Sequence, residues 1–318
     1  MIKKIESIQY LRAVAVLMVV IFHLFNLRGE LLFFKKSGIG FYGVVIFFVI
    51  SGAIMSHIIS KENNVLSFVK KRFWRIYPTY FQVLTITSLM AFFFAKPYDF
   101  LDQISLMFFE FKYDQKTGFD WMVLPVAWTL YYEIFFYMVV AASLALFKKP
   151  KIGIYIFFGV VVFTKKIFGF DSKYFLEFIA GFCLMEFIKD NKKLDLAVAL
   201  MCVGALFLHE LHGLFALLTL AAIKFGIDLE KKDKLFKSPT LELVGNASYS
   251  IYLLHWSLIY PYRAFLNYFK DYGLFVLIPL SLALFVAIIG IGILNYIFFE
   301  KYLVIKKWSW NKLIEKNA

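Results

Sequence analysis

The sequence predicts an all-α membrane protein, a polytopic helix bundle of about ten transmembrane helices with both termini cytoplasmic. Three observations predict it. Of 318 residues, 61% are hydrophobic and 20% aromatic, with 40 Phe and 19 Tyr, against 18% charged. Apolar runs of roughly 15 to 25 residues recur along the chain, and about 20 apolar residues span a bilayer as a helix. A lipid-exposed backbone must also satisfy its own polar groups, which selects helices here. Finally, Lys and Arg collect in alternate loops between the runs, where they set topology.

The predicted spans are 8–27, 40–59, 76–95, 124–147, 152–164, 174–188, 196–208, 213–227, 248–267 and 273–299. The fifth to eighth are short. With the N-terminus inside, 22 Lys and Arg fall in loops and tails on its side and 10 on the other. An even number of spans returns the C-terminus to the cytoplasm. Residues 1–300 thus read as one membrane domain and 301–318 as a basic, Trp-containing tail on the inner leaflet. The outer loop 96–124 contains an apolar-aromatic stretch, Leu101 to Phe111, that reads as an interfacial or re-entrant helix. The connection 228–248 reads as polar and cytoplasmic. No cleavable leader is expected, because the first span is too long and no small-residue cleavage site follows it.

The formal net charge of +13 is a topology signal and does not point to nucleic acid. Cys183 and Cys202 both fall inside apolar runs, which argues against a disulfide framework or a Cys metal site.

The first span, IQYLRAVAVLMVVIFHLF from Ile8 to Phe25, carries the two residues hardest to explain by insertion alone. Arg12 and His23 are eleven positions apart. At 100° per residue they return to one helix face, roughly 16 Å apart along the axis. Ionisable side chains in a span are costly and rarely idle. His23, in the outer half, can take a proton from a hydroxyl near neutral pH. Arg12, in the inner third, can snorkel and bind phosphate, although a topological anchor is the commoner fate of such an Arg.

The second span contains GFYGVVIFFVISG, Gly40 to Gly52, whose glycines suit close helix packing and whose Ser51 lies in the inner half. KKRFWRIYP follows at Lys70 to Pro78. Arg72 and Arg75, three apart on one helical face just before the third span, suit a cytoplasmic polyphosphate. The fourth span reads WTLYYEIFFYMVV from Trp128. Its Glu133 has no sequence-adjacent cation, and Tyr137 follows one turn later on the same face. A lone carboxylate in a span must be paired or protonated. Glu177 in the sixth span is a second such case. The ninth, NASYSIYLLHWSLIYP from Asn246, is the most polar. Its His255 either lines the cavity of His23 or bridges helices, and Tyr252 lies one turn before it. His209 and His212 flank Glu210 in a turn that reads as solvated. Two His without a third ligand do not make a metal site, so no metal is expected.

Five of these segments together resemble the membrane-bound acyltransferase 3 family, bacterial O-acetyltransferases of polysaccharides and lipopolysaccharides. They are the Arg-x10-His pair (Arg12, His23), the FFxxSG run (Phe47 to Gly52), the RxxR pair (Arg72, Arg75), the Glu-x3-Tyr pair (Glu133, Tyr137) and SYSIYLLH (Ser248 to His255). The opening and the WTLYYEIFFY stretch look most like the succinoglycan-modifying exopolysaccharide acetyltransferases. Many members carry a soluble esterase-like domain after the membrane part; none is expected within these 318 residues.

The resemblance implies acetyl-CoA as acyl donor and a sugar hydroxyl of a polysaccharide or lipid-linked precursor as acceptor, in the bacterial inner membrane. It implies that His23 is catalytic and that Arg72 and Arg75 contact the donor. Arg12, Ser51 and Tyr137 are expected on the donor side, Glu133 as the carboxylate that orients His23, and Tyr252 and His255 on the acceptor side. Direct transfer and an acetyl-His intermediate stay open. Partners are the bilayer and polysaccharide-synthesis machinery. Two other classes compete: a transporter of a lipid-linked sugar or polysaccharide, and a non-catalytic partner of a synthase.

Overall fold

A computed structural model describes residues 5–25, 38–62, 64–94, 123–164, 166–167, 170–209, 211–268 and 274–302. Among these residues there are ten α-helices, and each coincides with one predicted span. In chain order they are α1 Glu6–Phe25, α2 Ile39–Ile59, α3 Val65–Phe94, α4 Trp128–Leu146, α5 Lys151–Phe163, α6 Ser172–Asp190, α7 Lys193–Leu206, α8 His212–Lys231, α9 Pro239–Tyr268 and α10 Leu274–Asn295. A 3₁₀ turn, Pro125–Ala127, leads into α4, and a π turn, Tyr296–Glu300, continues α10. Strand pairing is confined to Lys166–Ile167 against Phe170–Asp171, antiparallel, between α5 and α6. The Leu101 to Phe111 segment and nearly all of the tail lie outside the described residues.

Among the described residues, six stretches are long and apolar enough to cross a membrane: Glu6–Phe25, Ile39–Ile59, Val65–Phe94, Pro125–Leu146, His212–Lys231 and Phe275–Glu300. The chain is a multi-pass membrane protein. The last of these stretches shows the lipid-facing pattern plainly: Phe275, Val286 and Phe298 are exposed along an almost wholly apolar helix. Such a surface matches hydrocarbon rather than water.

Two helices are longer than hydropathy predicts. α3 starts at Val65, so Arg72 and Arg75 lie inside it rather than before it. α9 starts at Pro239, which shortens the 228–248 connection to residues 232–238. In both, the turns before the apolar span include polar or charged residues, Lys70 to Arg72 in α3 and Thr240 and Glu242 in α9, yet stay helical, which hydropathy does not register.

The chain forms two compact units. The first comprises 1–19, 38–71 and 129–245. Its centre is the crossing of α2 and α6, where two glycines face each other's backbone. A Cβ on Gly52 would strike the Phe178 carbonyl, and one on Gly181 would strike the Val49 carbonyl. Small residues let membrane helices approach this closely. The start of α1 is held in the same unit. The Glu230 carboxylate accepts from the Ser7 backbone N–H at 2.7 Å, satisfying a donor that a helix N-terminus leaves unpaired. Asp171 caps α6 by accepting from the Lys173 N–H at 3.1 Å, and Asn191 ends it in the left-handed conformation with φ 53°.

One end of α5, α6 and α7 is tied by ions. Lys151 lies 3.8 Å from Glu186, 3.4 Å from Asp190 and 3.5 Å from the buried Asp195. Lys189 donates to Ser56 and to Glu186.

The second unit comprises 20–37, 72–128 and 246–318. Its backbone is α9. The Tyr252 and Tyr260 hydroxyls each donate to a main-chain carbonyl of the segment before α4, Val126 and Val123, at 2.9 Å. Tyr249 donates to the Ile76 carbonyl at 2.9 Å, and Ser257 meets Thr87 at 2.6 Å. Four side-chain bonds, three of them buried, thus account for much of the Ser and Tyr in this span. In a medium without water each hydroxyl needs a partner, and here each ties α9 to another segment.

Candidate active site

In the second unit, the last two turns of α1 bring His23 against α9. The His23 ring centre is 5.1 Å from that of His255 and 5.3 Å from the Trp256 indole, which meets it edge-on. His23 is half-buried, whereas His255 is wholly buried. His255 of α9 thus packs directly on His23 of α1. The His255 Nδ1 faces the Tyr252 carbonyl one turn back on α9. A carbonyl only accepts, so Nδ1 carries the proton and Nε2 of the neutral ring is bare. That Nε2 and the Trp256 Nε1–H are both buried and have no hydrogen-bond partner. The Arg263 guanidinium covers the other side of Trp256, 5.4 Å from the ring centre.

A second cluster in this unit surrounds Arg75. Its guanidinium pairs with the carboxylate of Glu300 and lies 5.2 Å from the Tyr249 ring centre. Glu300 is only 1% exposed and also accepts from Ser250 at 2.7 Å. Asn295 donates to Ser250 at 3.0 Å, and Gln82 donates to Asn295 at 2.8 Å. The chain is continuous from α3 through α10 to α9. By sequence the last span ends at 299 and Glu300 is merely the residue that follows it. Instead, the π turn swings it inward as the counter-ion of Arg75. Single π turns of this kind recur at functional sites. Arg72 is half-buried one turn earlier on α3.

The first unit holds the remaining predicted residues. Glu133 accepts from Tyr137 one turn on, and from Ser51 of α2 at 3.4 Å. FFxxSG and Glu-x3-Tyr therefore meet around a single carboxylate. Arg12 is half-buried on α1, eleven residues before His23 on the same unbroken helix.

One expectation is overturned. His212 is not a solvated turn residue. It is 6% exposed, and its Nδ1 lies 2.8 Å from Glu177, which is fully buried. Tyr42 and Tyr174 present their rings edge-on to it, 6.2 Å and 6.0 Å away. His209 stays in the turn, and Glu210 lies outside the described residues. Sequence alone missed the pair because its partners are 35 positions apart and each was judged in its own segment. Among the described residues no three His, Cys, Asp or Glu side chains group to hold a metal.

Comparison with known proteins fits the motifs to one family. The family model described as an acyltransferase domain matches residues 5–297. The exopolysaccharide production protein ExoZ of Rhizobium meliloti (strain 1021) is 30% identical over 254 residues, 70% of this chain and 78% of its own. The peptidoglycan O-acetyltransferase OatA of Listeria monocytogenes is 25% identical over 320 aligned positions, 81% of this chain. The chain spans half the length of that relative. No solved structure matches. With the family model covering nearly the whole described chain, this protein belongs to the acyltransferase 3 family and is an acyltransferase.

Proposed function

We propose that the protein moves an acetyl group from cytoplasmic acetyl-CoA to a hydroxyl of a cell-surface polysaccharide, or of its lipid-linked precursor, at the bacterial inner membrane. The observation that carries this reading is His23, a half-buried imidazole in a span, set against a second buried imidazole. The names of the relatives, one an exopolysaccharide production protein and one a peptidoglycan O-acetyltransferase, support the acyl group and the acceptor class. The loop charge bias supports cytoplasmic termini and a cytoplasmic donor.

In this reaction the acceptor O–H gives its proton to His23 as its oxygen attacks the thioester carbonyl. The tetrahedral intermediate collapses, the C–S bond breaks, and the leaving thiolate takes the proton back from His23. The donor is a polyanion. Arg72 and Arg75 are assigned to its phosphates, since a guanidinium fork matches phosphate oxygens. Arg12, Ser51 and Tyr137 are assigned to the donor as well, and Glu133 to balancing the charge that His23 acquires. Tyr252 and His255 are assigned to the acceptor side. Polysaccharide-synthesis machinery is the proposed source of the acceptor.

The test is acetyl-CoA turnover by the purified full chain in nanodiscs, read as release of free CoA thiol. Wild type is expected to consume acetyl-CoA, and His23→Ala to lose at least about 100-fold, the usual contribution of a general base. Arg72→Ala is expected to raise KM for acetyl-CoA more than it lowers kcat. Equal turnover by wild type and His23→Ala would contradict the reading.

A further inference from the structure

We infer that His255 is the positioning residue of His23: its bare Nε2 accepts the N–H of the His23 ring and so leaves the other His23 nitrogen unprotonated for the acceptor hydroxyl. This inference rests on the role proposed above for His23.

The tautomer of His255 comes first. Its Nδ1–H is committed to the Tyr252 carbonyl, so its Nε2 can only accept. That nitrogen is buried and unpartnered, a position in which buried acceptors are seldom left. The groups beside it have a simple division of labour. The Trp256 N–H, also unpartnered, belongs to the next residue of α9, and the ring that packs against both is His23. Two imidazoles joined by a straight N–H···N bond of about 2.9 Å, with about 1.1 Å from each ring centre to its nitrogen, have centres about 5.1 Å apart. The measured separation of the two centres is 5.1 Å. The ring planes are tilted by 43°, and rotation about the broad χ2 torsion of His23 aligns the donor.

The consequence is a chain of hydrogen bonds from the Tyr252 carbonyl through His255 to His23. It does for His23 what a carboxylate does in a hydrolase triad: it selects the tautomer and holds the ring, without taking the proton for itself. During transfer the hydroxyl proton moves to the outward His23 nitrogen and from there to the thiolate. The proton between the two rings stays on His23, and that on His255 stays on its Nδ1, donated to the Tyr252 carbonyl. A neutral acceptor also suits a buried position, where a second full charge would be expensive.

The experiment is solid-state NMR on the full chain, 15N-labelled at histidine, in nanodiscs, with His23 assigned by its loss in His23→Ala. Wild type is expected to show His23 in one neutral tautomer, with its N–H proton correlated to the His255 Nε2. His255→Phe, which keeps a ring and removes both nitrogens, is expected to leave His23 as a mixture of tautomers and to lower acetyl-CoA turnover about 100-fold with KM little changed. Trp256→Phe is expected to keep the single tautomer. A mixed His23 tautomer in wild type, or one unchanged in His255→Phe, would overturn the proposal. The wild-type spectrum decides even where a variant fails to fold. It also separates the two hypotheses: a wild type with the His23–His255 bond but no acetyl-CoA turnover would sink the acetyl-transfer reading and leave the positioning role standing.

Discussion

Glu300 is where a single side chain changes the meaning of a motif. As an RxxR pair, Arg72 and Arg75 look equivalent. In the fold Arg75 is held by a buried carboxylate that Ser250 also supports, so its guanidinium is fixed in place by the protein itself. Removing one partner of a buried ion pair typically costs 3–5 kcal/mol. Arg75 is partly exposed, so the loss here is expected at the low end, about 3 kcal/mol. Glu300→Ala should therefore lower the melting temperature in detergent, and Glu300→Gln, which keeps a hydrogen-bond acceptor, should lower it less. Equal melting temperatures for wild type and Glu300→Ala would show that the pair holds nothing. Glu177 and His212 give a second prediction at this scale. His212→Ala strands a fully buried carboxylate, whereas the Glu177→Gln, His212→Ala double variant does not. The double variant should be more stable than His212→Ala alone, measured by thermal unfolding.

The ionisable residues of the spans were legible because such a group inside an apolar run stands out: Arg12, His23, Glu133 and Glu177 all announce themselves this way. Glu300 and His212 did not, since each sits at the end of a helix beside other polar residues and reads as solvent-facing. Their partners are far away in sequence, 225 positions for Glu300 and Arg75. Hydropathy has no access to such pairings.

Among the elements of the described residues, hydropathy located the positions of ten helices, but only six stretches have the length and apolarity that a bilayer crossing requires. It misjudged where α3 and α9 begin, because a helix can run on through polar turns at the membrane boundary. The α2–α6 crossing was legible only as a tendency. Glycines in GFYGVVIFFVISG suggested close packing, but Gly181 on the facing helix could not be identified. The crossing makes a sharp prediction. Gly52→Ala puts a methyl into the Phe178 carbonyl and should destabilise the fold by about 1–3 kcal/mol, the usual cost of overpacking. Gly159→Ala in α5, with nothing within 4 Å of the added methyl, should leave the melting temperature unchanged or raise it slightly. If the two variants melt alike, the crossing is not a close one.

At the scale of the molecule, six long apolar stretches among the described residues and the exposed Phe and Val of α10 fit a chain that lies in a bilayer. Which way it faces rests on loop charge alone. Cysteine introduced at Lys149 or Lys232, two positions on the proposed cytoplasmic side, should resist an impermeant maleimide in intact spheroplasts and react after lysis. Labelling before lysis would reverse the topology and take the donor to the wrong side. The central claim is narrower than the topology: His23 transfers an acyl group onto a surface polymer. Proton NMR of polysaccharide from cells expressing either wild type or His23→Ala tests it most directly. The expected result is polymer at equal yield, with O-acetyl signals in the wild-type spectrum and none in the variant's. The same O-acetyl signals in both spectra would contradict it, and polymer missing from the variant's surface would point to transport instead.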